Sequence, residues 1–583
     1  MTMRKPTGRV RPTPAHIRRE RLRRLLTALA VVPALLLSAC VSVPFSGGVE
    51  LGGDLDTGVD VDFDFLPSGP SEGATPEEIL RGFLAATTAA QNNYRIARSY
   101  LAADAADVWN PFASTLVRAR EGTIEQVDDT TLTYSVGIVA SVDEVGRYSV
   151  ADDTATQTLP AFRFVQEAGQ WRIAELGDGI LISQQAFPSA FSQHTLFYWD
   201  AAFRNLVPDL RWFPSRSEVA TRIVRAVLEP PTSWLTQGAT VSAIPEGTQL
   251  ALAPVSVDAG IAQVDLTSEV LSLSDRERQR LRLQLAASLR AVSGVVGVQL
   301  TVDQNAVVIP EWTAGSPDVV PQVDPRVLLL TEAGFGFATG DEVEPLGALS
   351  PGVVVLGATA VALAPTRTLA TVLTPQGVWA VSAGDEPPVL LDERPGLIAP
   401  SIDGYQFVWS VPATGSGAAG VIRATELDGT VHVVEASRPG DARIVSIAVS
   451  RDDARVLLML DGPGGPRLVY TAVIRDETSG VPVRLGELRD LPLNGDIAVG
   501  ATWVDEVRVA SITRTDEQSL VELHELGGRS RPLGLPPEGR QIVGGNAGVG
   551  GIRVLGADSV VFEPRGSGWQ NTGLRASFLG TQQ

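Results

Sequence analysis

The chain has 583 residues, a formal net charge of −20 at pH 7, one cysteine and four histidines. At roughly 100–200 residues per domain, this length holds about three or four domains. So acidic a chain lacks the basic footprint that nucleic acid requires, and it would be repelled by anionic lipid headgroups. Lys5 is the only lysine, so nothing beyond the extreme N-terminus can serve as a phosphate-binding or Schiff-base lysine. Cys40 is the only thiol, which excludes cysteine zinc sites and intrachain disulfides. His194, His432 and His524 are far apart in sequence and read as ordinary histidines. No catalytic, cofactor-binding or metal-binding residue is assigned, no cofactor is expected, and the chain reads as a non-enzyme.

Residues 1–39 read as a signal peptide. Arg4, Lys5, Arg9, Arg11, Arg18, Arg19, Arg21, Arg23 and Arg24 precede an apolar stretch from Leu25 to Leu37. At about 13 residues the stretch is short for a membrane span but suits a signal-peptide core. It runs into Leu37-Ser38-Ala39-Cys40, which resembles a bacterial lipobox. That resemblance implies diacylglyceryl and N-acyl groups (palmitate among them) on Cys40, cleavage before it, and a lipid anchor on the extracytoplasmic face of the cell membrane. More than one acyl chain is what stable anchoring needs.

Residues 40–74 read as a lipidated, disordered tether rich in Gly, Pro, Ser and Asp. Asp60, Asp62 and Asp64 alternate with apolar residues, but the glycine turn and final glutamate of a calcium loop are missing. Gly69-Pro70-Ser71-Glu72-Gly73 matches a hydrolase elbow in letters only, because a proline-containing tether precedes it where a strand is required.

Residues 75–190 read as an α+β domain. Thr75-Pro76-Glu77-Glu78 is a capping box with proline in the first turn, followed by Ile79, Leu80, Phe83 and Leu84 at helical spacing. A second helix is expected over Ala97 to Ala103. Strands are expected over 131–136, 161–166 and 171–173, the last carrying Trp171-Arg172-Ile173. Two helices followed by antiparallel strands resemble the nuclear-transport-factor-like cone.

A second α+β unit spans 194–310. It should open with the strand Leu196-Phe197-Tyr198-Trp199 and a loop at Leu206-Val207-Pro208-Asp209. Further capping boxes are expected at Ser215–Glu218 and Ser274–Glu277. Strands are expected near 251–257, 262–266 and 295–302, and Leu281, Leu285, Leu289 and Val292 should form one buried stripe. Pro310, Pro317, Pro321 and Pro325 then punctuate a connector.

From 326 to 580 helical periodicity gives way to short Val- and Leu-rich runs between turns. A related phrase recurs at Val361–Ala364, Ile398–Ser401, Ile447–Ser450, Val499–Thr502 and Val543–Asn546. Spacings of about 40–50 residues suit the blades of a propeller-like domain of five or more blades. A pair of β-sandwiches would need no such recurrence. The fold class is therefore multidomain: two α+β domains followed by an all-β propeller-like domain.

This order resembles the actinobacterial LpqB lipoprotein family, with the central unit similar to a GerMN domain. The residues that carry the resemblance are the run from Thr75 to Leu84, Leu206-Val207-Pro208-Asp209-Leu210-Arg211-Trp212, and Val264-Asp265-Leu266. The resemblance implies an accessory role, binding the extracellular region of an MtrB-like sensor histidine kinase and modulating envelope homeostasis and division. It supplies no catalytic residues. The alternative is a cell-wall hydrolase using paired carboxylates, which would need a cleft holding two of them, one with a raised pKa.

Overall fold

The computed structural model describes residues 67–583 apart from 152–155, 216–217, 253, 313–314, 318, 385, 414–420, 437–441, 517 and 546. The signal segment, Cys40 and the tether up to residue 66 lie outside the described residues.

The first helix, Pro76–Ala86, starts as its sequence dictates. Glu78 N–H donates to the Thr75 hydroxyl, and Thr75 N–H donates back to the Glu78 carboxylate at 2.8 Å. Ile79, Leu80, Phe83 and Leu84 are buried on its inner face. The helix expected over 97–103 does not form. A short helix ends at Arg98 and another starts at Ala103. Between them Tyr100 C=O accepts from Ile173 N–H at 3.0 Å, and Ala102 N–H donates to Ile173 C=O at 2.8 Å. The segment is extended because it supplies partners to the outer edge of the strand Gln170–Glu175.

The helices cover a sheet with the order Gln170–Glu175, Phe162–Glu167, Thr131–Asp143, Ser114–Arg118, Ile180–Ser183. Its central strand is longer than the expected 131–136. Alternation continues through Val136, Ile138, Ala140 and Val142, each buried against the helical layer's core.

In the second unit Phe191–Asp200 pairs antiparallel with Leu206–Pro214, from Trp199 opposite Leu206 to Phe191 opposite Pro214. The loop expected at 206–209 is thus a strand, proline included. Phe197, opposite Pro208, sends its N–H away from the pair to the Ser288 hydroxyl at 2.9 Å. This is therefore a non-hydrogen-bonded pair, and Pro208's missing N–H costs the ladder nothing. Alternation is absent because the strand enters three cores. Leu206 and Phe213 join the second unit's core, Trp212 joins the first unit's, and Val207 joins one shared with the C-terminal unit.

The helix Val219–Leu228 follows Glu218, which has φ 43° and makes no side-chain cap bond. The capping box expected at Ser215–Glu218 is not made there, and Arg216 and Ser217 lie outside the described residues. The Ser274–Glu277 box does form and starts the helix Asp275–Leu289. That helix buries Leu281, Leu285 and Leu289, and it links the parallel strands Ile261–Asp265 and Gly297–Val302. The strand expected near 251–257 is reduced to Ser256–Asp258.

The C-terminal unit is a closed propeller. Blades of four strands, five in the third, begin with the inner strands Ala360–Leu363, Ser401–Ile402, Arg443–Val449, Ile497–Trp503 and Gly539–Val543. The recurring phrase falls in or beside these five strands, with Asn546 outside the described residues. A sixth blade among the described residues joins the two ends of the domain. Phe578–Gln582 pairs antiparallel with Leu328–Thr331 and parallel with Ala360–Leu363. The ring is closed by hydrogen bonds and leaves no open inner edge.

The three units pack as part of one compact body. Val207, Trp234, Leu235 and Ala239 of the second unit share a core with Leu457, Met459, Leu468 and Trp503 of the propeller. Trp234 meets Tyr470 edge-on at 4.9 Å, and Trp212 Nε1 donates to Gly527 C=O at 3.1 Å.

Candidate functional site

Cys40, the one functional residue the sequence singles out, lies outside the described residues. The three later histidines do not come together. His194 and His524 are buried, and burial pushes both down to about 4, so both are neutral near pH 7. His524 sits between the Ser511 and Ser530 hydroxyls at 2.8 and 2.9 Å, a structural arrangement. His432 pairs with Glu426 at 2.7 Å on an outer strand. Among the described residues no group of His, Cys, Asp and Glu could hold a metal ion.

One cavity, of about 700 Å³, is lined by Asp209, Trp234, Tyr470 and Glu525 among others. The propeller's central channel has a volume of about 380 Å³ and is lined by inner-strand residues from all six blades, including Val445, Val499, Arg540 and Phe578. Gln583 also lines it. The Gln583 side-chain Oε1 accepts from Ser401 Oγ and Ile402 N–H, both at 2.7 Å, linking the chain end to the blade that begins at Ser401. A further cavity, about 890 Å³, is a polar cleft between the first two units.

A buried carboxylate with a raised pKa lies elsewhere, in the seam between second unit and propeller. Asp453 is 4% exposed, has φ 63°, and accepts from Gly404 N–H at 2.7 Å and Asn205 Nδ2 at 3.1 Å. Asp403, 2% exposed, accepts from Phe407 N–H, Trp409 Nε1 and Arg475 Nη2 at 2.8–2.9 Å. Burial, then repulsion from Asp403, pushes Asp453 up to about 7 against the pull of Arg475. Across the seam Tyr405 OH donates to Asp200 at 3.3 Å, and burial raises Asp200 as well. The Arg204 and Arg475 guanidiniums lie 4.0 and 4.5 Å from the Tyr405 ring centre. Across the seam Asp200 and Asn205 lie 205 and 248 residues from their partners Tyr405 and Asp453, and no local motif marks them. The one local hint is the Asp452-Asp453 doublet after the recurring phrase.

This is a carboxylate pair in which Asp453 has a raised pKa, but it is buried in a seam between units. Neither Asp403 nor Asp453 lines the channel or the polar cleft. Their hydrogen bonds go to backbone, tryptophan, arginine and the docked unit. The arrangement joins domains, and the open cavities are suited to binding.

A curved α+β unit, a βαβ-containing α+β unit and, among the described residues, a six-bladed propeller define a multidomain architecture. Family models match in the same order: the N-terminal domain of lipoprotein LpqB over residues 69–188, the Germane domain of sporulation and spore germination over 195–308, and the LpqB β-propeller domain over 337–575. Lipoprotein LpqB of Cutibacterium acnes is 26% identical over 545 residues, covering 86% of this chain and 88% of the relative. That of Streptomyces coelicolor is 28% identical over 541 residues, covering 84% and 86%. The chain belongs to the LpqB lipoprotein family. Among solved structures, the first GerMN domain of the Bacillus subtilis sporulation protein GerM aligns at 18% identity and TM-score 0.18, covering 22% of this chain and 93% of that one. No described helix is long and apolar enough to cross a membrane.

Proposed function

We propose that the chain is an accessory lipoprotein anchored by acyl chains on Cys40 to the outer face of the cell membrane. There it binds the extracellular region of an MtrB-like sensor histidine kinase and modulates its output in envelope homeostasis and division. The observation that supports a binding role is the placement of the carboxylates. The carboxylate pair Asp403 and Asp453 is covered by the docked second unit, and the carboxylates that line the open polar cleft, Glu144, Glu218 and Glu229, share it with Arg222 and Arg225. Tethering both partners to one membrane raises their effective concentration, so a weak interface suffices.

The test compares kinase phosphorylation in cells carrying the wild type, a propeller-deleted form, and Cys40→Ser exported in soluble form at equal abundance. Loss of modulation in the soluble form is the expected result. Full modulation from it, together with turnover of a cell-wall substrate in vitro, would sink the reading in favour of the hydrolase.

A further inference from the structure

The short strand Tyr148–Val150 pairs on one side only, with the long strand Thr131–Asp143. In this register Ala140 faces Val150, Ser141 faces Ser149 and Val142 faces Tyr148. The bonds flanking the strand fix which backbone groups turn inward. Asp143 N–H donates to Arg147 C=O at 3.1 Å, and Ala151 N–H donates to Val139 C=O at 3.0 Å. Bonded pairs alternate along an antiparallel ladder, so Arg147, Ser149 and Ala151 face the sheet. The N–H and C=O groups of Tyr148 and Val150 therefore point away from it, and among the described residues none of the four has a hydrogen-bond partner. Val150 is 48% exposed, and Tyr148-Ser149-Val150 holds no charge or proline to blunt the edge.

This open edge borders the groove of about 700 Å³, to which all three units contribute. Segment 230–234 of the second unit and Tyr470 and Leu491 of the propeller line it with apolar surface. The groove continues an interface already made. Just before the short strand, Trp212 N–H donates to Gly146 C=O at 2.8 Å, which brings the strand Leu206–Pro214 against the edge. Past that contact no backbone bond joins the two strands, and both line the groove. Its charged groups are already matched. Arg147 pairs with Asp143, Arg489 with Glu487, Asp490 with Arg467 and Asp209 with Arg211, and Glu525 accepts from Arg529 N–H. A ligand that complements this groove is uncharged and carries donors and acceptors at the spacing of a strand.

We propose that the groove receives an extended, uncharged segment of a partner polypeptide, which adds a strand to the edge at Tyr148 and Val150. The segment's backbone pairs with the four outward groups, and alternate side chains lie against the apolar wall. At about 3.3 Å per residue, the three-residue edge spans roughly 10 Å, enough for a strand of about four residues. The site does not rest on the sensor-kinase reading, since it specifies a backbone geometry and no particular protein.

The test uses the full chain in detergent and the blocked peptide Thr-Val-Thr-Val-Thr-Val, N-methylated at its threonines. Alternate N–H groups of a strand share one edge, so this probe keeps one pairing edge and cannot stack on itself. Calorimetry should give a Kd of about 1 mM or tighter, and the same peptide methylated at every residue should not bind. Saturating probe should slow deuterium exchange of the Tyr148 and Val150 amides at least about tenfold, read by mass spectrometry. Val150→Pro deletes an outward N–H that the native ladder does not use. It should weaken binding at least about fivefold with Tm unchanged, whereas Ser149→Pro, which deletes an inward N–H, should lower Tm. The proposal is overturned if the probe does not bind, if the fully methylated peptide binds equally, or if Val150→Pro binds like the wild type. Binding that leaves the exchange of Tyr148 and Val150 unchanged overturns it too. Should Val150→Pro lower Tm, the exchange rates of the wild type decide.

Discussion

Asp453 shows how burial converts an ordinary surface residue type into a titrating latch. Asn205 and Gly404 donate to its carboxylate; Asp403, Asp452, Arg475, Asp200 and Tyr405 are the ionisable groups around it. Its folded pKa of about 7 lies above the roughly 3.9 of a free aspartate. The folded protein thus holds a proton that the unfolded chain releases. The associated stabilisation is fully present below about pH 4 and is lost as pH rises through about 7. Asp453→Asn carries no such proton. In urea titrations from pH 4 to pH 8, the wild type should lose stability relative to the variant, and a pH-independent difference would contradict the assignment. Arg211 makes a second point at this scale. It is fully buried and bonded to Asp209 at 2.6 Å. Arg211→Ala leaves that buried carboxylate without its counter-charge and with only Thr232 as donor, and breaking a buried pair from one side costs about 3–5 kcal/mol. Chemical denaturation would measure this directly.

At the scale of elements, local chemistry was decisive where all its parts lay within one turn. The Thr75 and Ser274 boxes form because hydroxyl and carboxylate sit three residues apart, and nothing else competes for them. Tyr100 and Leu101 had helical spacing, yet the unpaired edge at Ile173 claims their backbone. Pro208 reads as a loop until its partner Phe197 is known to point its N–H at Ser288. The closing strand Phe578–Gln582 is the extreme case, since both its partners lie more than 200 residues upstream. Deleting 578–583 removes the antiparallel partner of Leu328–Thr331 and the Gln583 bonds to Ser401 and Ile402. Such a variant should melt lower and show a larger radius of gyration by small-angle scattering. An unchanged Tm and radius would mean the ring does not depend on this closure.

Taken whole, the three units are held by apolar contact as well as by covalent linkage. The Pro-punctuated connector suggests independent units, but Val207, Trp234 and Leu235 are buried against the propeller. Limited proteolysis within 303–326 should therefore yield fragments that still co-elute in size exclusion, separating only in denaturant. Fragments that part at once would show the shared core to be too weak to hold them. The proposed lipid anchor belongs to this scale too. Each acyl CH₂ contributes about 0.8 kcal/mol, so Cys40→Ser should move the protein from the membrane to the soluble fraction. A wild type that incorporates no labelled fatty acid would refute the lipid anchor.

By itself, the sequence determined whatever depends on residues close along the chain. The lipobox-like run, the two helix starts, the alternating central strand and five inner strands of the propeller are all written in periods of two to four residues. Its composition also restricted the chemistry, by leaving no lysine beyond Lys5 and no thiol beyond Cys40. Tertiary structure alone decided the sixth blade, the three-core strand at 206–214, the carboxylate seam and the groove beside Tyr148–Val150. Each depends on groups brought together across tens to hundreds of residues. Burial, hydrogen-bond satisfaction and pKa are set by those neighbours in space, and the order of residues does not name them.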